Sequence, residues 1–188
     1  FNNADFTEAG KLASVLKGYV TSWERIYGKS PDFEDIGNRF AYVLEQAHKQ
    51  TGRRAVVLID EYDKPILDVL DSGYTTQQNG QEILLEEQHR NILKGFYSVF
   101  KGADAHLKFV LLTGVTKFSQ VSVFSGFNQP DDISMVEDFE ALCGITKEEL
   151  LTVFAESIRE LALKWKITEE EVKIKLKRQY DGYHFSEN

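Results

Sequence analysis

The sequence predicts an α/β protein, a parallel sheet flanked by helices with a helical region after it. Three observations carry this. "AVVLID" (residues 55–60) and "LKFVLLTGV" (residues 107–115) are short continuous apolar runs, the mark of strands covered on both faces. Long amphipathic stretches precede and separate them, as parallel strands require. From Thr146 onward apolar residues recur at helical spacing only. The expected division is an α/β core over residues 1–144 and a helical region over 145–188.

Taken in order, residues 6–27 form a helix with Leu12, Leu16, Val20 and Trp23 on one stripe. After "GKSPDF", residues 33–50 form a second, burying Phe33, Ile36, Phe40, Val43, Leu44 and Ala47. The first strand follows, then a short helix over residues 66–70 and a polar loop, "DSGYTTQQNG". Residues 82–101 are the clearest helix, with Leu85, His89, Ile92, Leu93, Phe96 and Phe100 on one side. The second strand ends at Thr113-Gly114. Thr146 with Glu149 and Thr168 with Glu171 are capping boxes that start two further helices. Leu150, Phe154, Ile158, Leu161 and Trp165 line the first of these; Val172, Leu176 and Tyr180 line the second.

The bulk properties exclude several classes. No run of apolar residues is long enough to span a bilayer, so no membrane partner is expected. A net charge of −8 argues against general nucleic-acid binding, which rests on phosphate neutralisation. The basic segment Lys164–Arg178 carries Glu169, Glu170 and Glu171 as well, and reads as a solvated helix face. A nuclease element built from Pro130-Asp131 with Glu171-Val172-Lys173 fails, because its acid-x-Lys part opens a capped helix where it needs a strand. Cys143 is the lone cysteine, so no internal disulfide forms; a buried thiol and a reducing, cytoplasmic location are expected. His48, His89, His106 and His184 are scattered, with no metal-ligand spacing. The chain opens on Phe1 with no signal peptide, as a piece of a longer protein would.

Chemistry concentrates at the first strand's end, where "VVLIDEYDKP" turns abruptly from apolar to acidic. In open α/β sheets ligands bind beyond the carboxyl ends of strands. Four apolar residues followed by Asp-Glu describe a Walker B element. There Asp60 accepts hydrogen bonds from water on Mg²⁺, a hard ion that keeps several waters. Glu61 orients or deprotonates the attacking water. Thr113, ending the next strand, places a hydroxyl near the γ-phosphate as a sensor. The bland reading is also open: Asp63 with Lys64-Pro65 simply starts a helix. A matching P-loop is absent. Gly28-Lys29-Ser30 tempts, yet the first glycine of G-x-x-x-x-G-K-S would fall on Trp23, Pro31 follows the serine, and no strand precedes it.

Beyond this motif, "VVLIDEYDKPI", "FYSVFKG", "KFVLLTGVTKFSQVSVFSGFNQPDDISM", "LCGITKEEL" and "YDGYHFSEN" run in the order of one family. From about Ala55 to the carboxyl end the chain resembles the predicted AAA-ATPase-like proteins of bacteria. The resemblance implies a truncated P-loop NTPase sheet whose P-loop lies upstream, with ATP and Mg²⁺ as cofactors of the longer protein. It puts Asp60 and Glu61 in the Walker B roles, Asp60 as the metal-side acid, and Thr113 at the sensor. Asp63, Lys64, Lys117 and Ser119 match motif positions near the phosphates, and Asp63 and Lys117 are taken as nucleotide-binding. Many members carry a nuclease-like domain further on.

Two functions compete. One is a fragment of an AAA-like ATPase, inactive without the phosphate-cradling loop. The other is a non-enzymatic interaction module whose acid cluster is structural. In AAA-type sheets the P-loop strand borders the sensor strand, so its absence leaves "FVLLTGV" as an open apolar edge, prone to self-association.

Overall fold

Asp5 makes a tight turn, its carboxylate accepting both the N–H and the hydroxyl of Thr7 at 2.9 and 2.8 Å. Gly10, at φ 79°, then launches α1 (Lys11–Tyr27). The expected start at residue 6 is therefore too early: an Asp turn and a left-handed glycine hold these residues out of the helix. Leu12, Leu16 and Val20 form the buried stripe. Helix α2 (Ile36–Thr51) begins where the Asp35 carboxylate accepts the Asn38 N–H at 2.9 Å. It ends at Gly52, left-handed at φ 66°. Phe33 lies ahead of this helix and is exposed, not buried.

The computed structural model of the chain describes residues 1, 4–115, 123 and 130–180. Strand β1 (Ala55–Ile59) pairs in parallel with β4 (Leu107–Leu112), Ile59 level with Leu112. Between them come α3 (Lys64–Leu67), β2 (Thr75–Gln78), β3 (Gln81–Leu84), α4 (Leu85–Tyr97) and α5 (Val99–Gly102). Leu12, Leu16, Phe40, Leu44, Leu93, Phe96 and Phe100 form the core with one face of the sheet. Phe40 and Phe96 stack with centroids 4.9 Å apart. Parallel strands and covering helices give the α/β class expected.

Several expectations change. Among the described residues one face of the sheet is covered and the other is not: Val56, Leu58 and Phe109 are 53, 68 and 52 % exposed. Their apolarity reads as burial, yet no helix layer covers that face among the described residues. The polar loop contains a β-hairpin, β2 antiparallel to β3, turned at Asn79-Gly80 with φ 52° and 78°. Two consecutive positive φ values suit an Asn-Gly turn, a signal outweighed by the polarity around it. Glu82–Leu84 belong to that hairpin, so the following helix starts at Leu85 and breaks at Ser98. Cys143 is exposed.

The chain divides into Phe1–Pro130 and a second unit, Asp131–Asn188. In that unit Thr146 and Glu149 close a full capping box over α6 (Lys147–Thr152). Thr168 and Glu171 exchange the same bonds at the start of α8 (Glu169–Tyr180). The single helix expected from Thr146 breaks near Phe154, and α7 (Ala155–Trp165) follows. Ile158, Ala162 and Val172 are its buried centre; Phe154, Trp165 and Tyr180 are exposed.

Candidate functional site

The two parallel strands end level and are tied together past their last residues. Thr113 donates its N–H to Ile59 at 2.9 Å and accepts the Tyr62 N–H at 3.0 Å. This lock sets side chains of two distant segments side by side. The Thr113 hydroxyl donates to Asp60 Oδ1 at 2.5 Å. Asp60 is exposed and Thr113 half-buried, both at the carboxyl ends of their strands, where open sheets bind ligands.

Glu61 occupies the next position with φ 53°, the left-handed region. A non-glycine residue there is uncommon and strained, and such strain collects at functional turns. Its Oε2 is buried with no hydrogen-bond partner among the described residues. A carboxylate oxygen left without a protein donor has room to accept a hydrogen bond from water.

Asp63 differs from its neighbours. It is 0 % exposed, and its Oδ2 accepts the Val115 N–H at 3.0 Å. Its carbonyl takes the N–H groups of Ile66 and Leu67 at 2.9 and 3.0 Å, starting α3. Asp63 thus clamps the exit of β4 to the turn after β1. Gly114 lies under this clamp: a Cβ there would meet the Tyr62 ring at 2.5 Å and Asp63 Oδ1 at 2.7 Å. Only glycine permits so close an approach.

Lys64 is half-buried and bonds both oxygens of Asp68 at 2.8 and 2.9 Å. Those bonds hold its ammonium pKa above the ordinary lysine value, aided by the charges of Asp68, Glu61 and Asp5. Asp68 also accepts the Phe6 N–H at 3.2 Å, so this pair ties the first segment to α3. Beneath α3, His89 is fully buried with Nδ1 2.6 Å from the Pro65 carbonyl. Burial pushes its pKa down despite that bond, so the ring is neutral and its Nδ1 carries the proton.

Of the site residues read from sequence, Asp60, Glu61 and Thr113 come together, Asp63 supports them from below, and Lys117 and Ser119 lie outside the described residues. Among the described residues no group of three or more His, Cys, Asp or Glu side chains could hold a metal. The histidines hold one surprise. His48 Nδ1 and His106 Nδ1 are 3.1 Å apart, 58 residues distant in sequence, at the amino end of the sheet. Nothing in their spacing announces the pair.

A family model described as "Predicted AAA-ATPase" matches residues 1–124, which hold every residue of this site. A curated protein of Azotobacter chroococcum mcd 1, described as "Uncharacterized protein in vnfD 5'region", is 44 % identical over 146 residues. The match takes in 78 % of this chain and 26 % of that protein, so the chain spans about a quarter of the curated relative's length. No solved structure matches.

Proposed function

Since the chain belongs to the predicted AAA-ATPase family, we propose that it carries the Walker B and sensor half of a Mg-ATP-hydrolysing site. In this reading a longer polypeptide supplies the phosphate cradle. The observation that supports it most is the Thr113 hydroxyl on the Asp60 carboxylate, at the ends of two adjacent parallel strands.

The donor chemistry fits the absent group. Asp60 offers an exposed carboxylate with Oδ1 oriented by Thr113, leaving Oδ2 for the hydration shell of Mg²⁺. A single protein acid suits an ion that keeps most of its waters and takes phosphate oxygens. When bound, that ion supplies charge neutralisation on the phosphates. Glu61, half-buried with Oε2 unpaired among the described residues, is the group that orients and takes a proton from water. Thr113 links the acid to the neighbouring strand and senses the terminal phosphate. Asp63 positions both segments through Val115 without reaching solvent. Lys117 is assigned to the phosphates by its motif position.

A second reading has its own support. Asp63 is wholly buried on a backbone N–H, so part of the acid cluster is structural. An interaction module that has lost nucleotide chemistry would keep that part.

Calorimetry with Mg-ATP separates the readings, using the open reading frame expressed in full beside the 188-residue chain. The full polypeptide is expected to bind and the short chain not, because backbone N–H groups and a lysine of a P-loop make most phosphate contacts. Glu61→Gln should keep binding and slow hydrolysis by about 10²–10⁴-fold. Absence of binding by the full polypeptide would leave the acids structural and favour the module.

A further inference from the structure

We propose that His48 and His106 form a proton-operated latch that fastens the entry of β4 to the end of α2, closed while at least one ring is neutral and opened when both are charged. The inference is independent of any ATPase activity.

Both rings are half-buried, and each is carried by a fixed piece of backbone. His48 lies in the last turn of α2, its carbonyl accepting the Gly52 N–H at 2.9 Å. His106 closes a single 3-10 turn, Asp104–His106, its N–H donating to the Ala103 carbonyl at 2.8 Å. The Leu107 N–H then donates to the Asp104 carbonyl. Strand β4 starts directly after this turn, and starts irregularly. Ala55 pairs with Leu107 but Val56 with Phe109, so Lys108 is left out of the register. A bulge of this kind disrupts the ladder locally. The end of β4 nearest the latch is thus the part with least support from its own sheet.

Geometry decides what joins the rings. Their Nδ1 atoms are 3.1 Å apart and their centroids 5.4 Å apart. Two imidazoles with nitrogens at that separation can stand no further apart, so the two Nδ1 atoms point straight at one another. A metal ion held by both would sit off that line and draw the rings closer together. The contact is therefore an N–H···N hydrogen bond, one Nδ1 carrying a hydrogen and the other a lone pair. Such a bond fixes opposite tautomers on the two rings.

Protons act on this bond in two distinct ways. A first added proton goes to an outer Nε2, leaving the inner bond in place and making it charge-assisted. The carboxyl end of α2 offers that charge a favourable field. A second added proton occupies the remaining Nδ1 lone pair, so both inner nitrogens become donors and no acceptor is left. Two like charges then face each other nitrogen to nitrogen and drive the rings apart. The surroundings do not offset the second charge. Glu45 and Lys49 lie on α2, with Arg53 and Arg54 beyond it; Lys101 lies on α5, Asp104 on the 3-10 turn and Lys108 at the start of β4. Cations outnumber carboxylates there, and Glu45 is already paired with Lys49. The Lys49 hydrogen bond, chiefly, holds the Glu45 pKa below the ordinary glutamate value, with a smaller contribution from the charge on His106. Opening loosens the entry of the strand whose far end leads to Thr113.

Imidazole NMR of the nitrogen-labelled 188-residue chain, with hydrogen exchange of its amides, tests the proposal. At about pH 7.5, above the ordinary histidine range, one of the two rings should carry its hydrogen on Nδ1 and the other on Nε2. As pH falls to about 5, protection of the His106 and Leu107 amides should drop about tenfold, the net strength of one hydrogen bond, while the amides of α1 keep theirs. His48→Gln and, separately, His106→Gln should each abolish that change, circular dichroism confirming that both variants fold. Hydrogen on Nε2 alone in both rings at the higher pH overturns the proposal, and so does protection that acid leaves unchanged. A tenfold drop that persists in both variants overturns it equally and assigns the effect to another group.

Discussion

Glu24 and Arg39 join α1 to α2 by a buried ion pair. The guanidinium donates Nε to Oε1 at 2.8 Å and Nη2 to Oε2 at 2.7 Å, a two-pronged bond, and also reaches the Thr21 hydroxyl at 3.1 Å. The Arg39 and Glu24 side chains are 8 and 5 % exposed. The Arg39 hydrogen bonds hold the Glu24 pKa below the ordinary glutamate value, while Arg39 itself is pushed further up. Glu24→Gln preserves shape but leaves a buried cation without its counter-charge. Breaking a buried pair from one side costs about 3–5 kcal/mol. The lower figure, about 3 kcal/mol, is the expectation. With a urea slope of about 2 kcal/mol per molar, the midpoint falls by about 1.5 M. Urea melts followed through Trp23 fluorescence, in a Trp165→Phe background, provide the measurement. Replacing both partners, Glu24→Leu with Arg39→Met, should recover to within about 1 kcal/mol of the parent. A single variant costing less than 1 kcal/mol, or a double variant as poor as the single, would refute the reasoning. The pH dependence has a definite sign. A depressed carboxylate pKa means stability present above the unfolded glutamate value, about 4.3, and lost as pH falls through the lower folded value.

Two further outcomes are expected. Glu61→Gly relieves the left-handed backbone at φ 53° and should raise stability by about 1 kcal/mol, read as an upward shift in melting temperature; an unchanged or lower melting temperature counts against strain at this turn. His89 is held neutral by burial. The unfolded chain takes up its proton first, so stability should decline as pH drops below about 6.5. A His89→Asn variant with the same slope between pH 7 and 5 would show that another group is responsible.

Much of the layout is legible because it rests on local periodicity. The stripe of Leu12, Leu16 and Val20 and both capping boxes need only neighbours in sequence to be recognised. The acids at 60 and 61 and the threonine at 113 are likewise visible as strand ends. What escapes is whatever depends on a third party. Val56 and Leu58 look like core from composition, but exposure depends on whether anything covers that face. Asp63 looks like its acidic neighbours, although turning inward to meet Val115 makes it a clamp. His48 and His106 meet only because α2 and the turn before β4 converge. The Asn79-Gly80 turn was readable in principle, its dipeptide being a strong hairpin signal. Polarity on either side concealed it.

The pairing of Ala55 with Leu107 also says when the site becomes available. These partners are 52 residues apart, and closing such a loop from a flexible chain costs about 3.5 kcal/mol before any contact repays it. The α1–α2 pair, the hairpin and α4 involve short separations and are expected to form sooner. Their folding shortens the effective loop and draws the strand ends together. Asp60 and Thr113 then meet in the closing step, so the hydrogen bond between them reports a chain that has completed its folding. In pulse-labelled hydrogen exchange, the amides of Tyr62 and Thr113 should gain protection after those of α1 and α2.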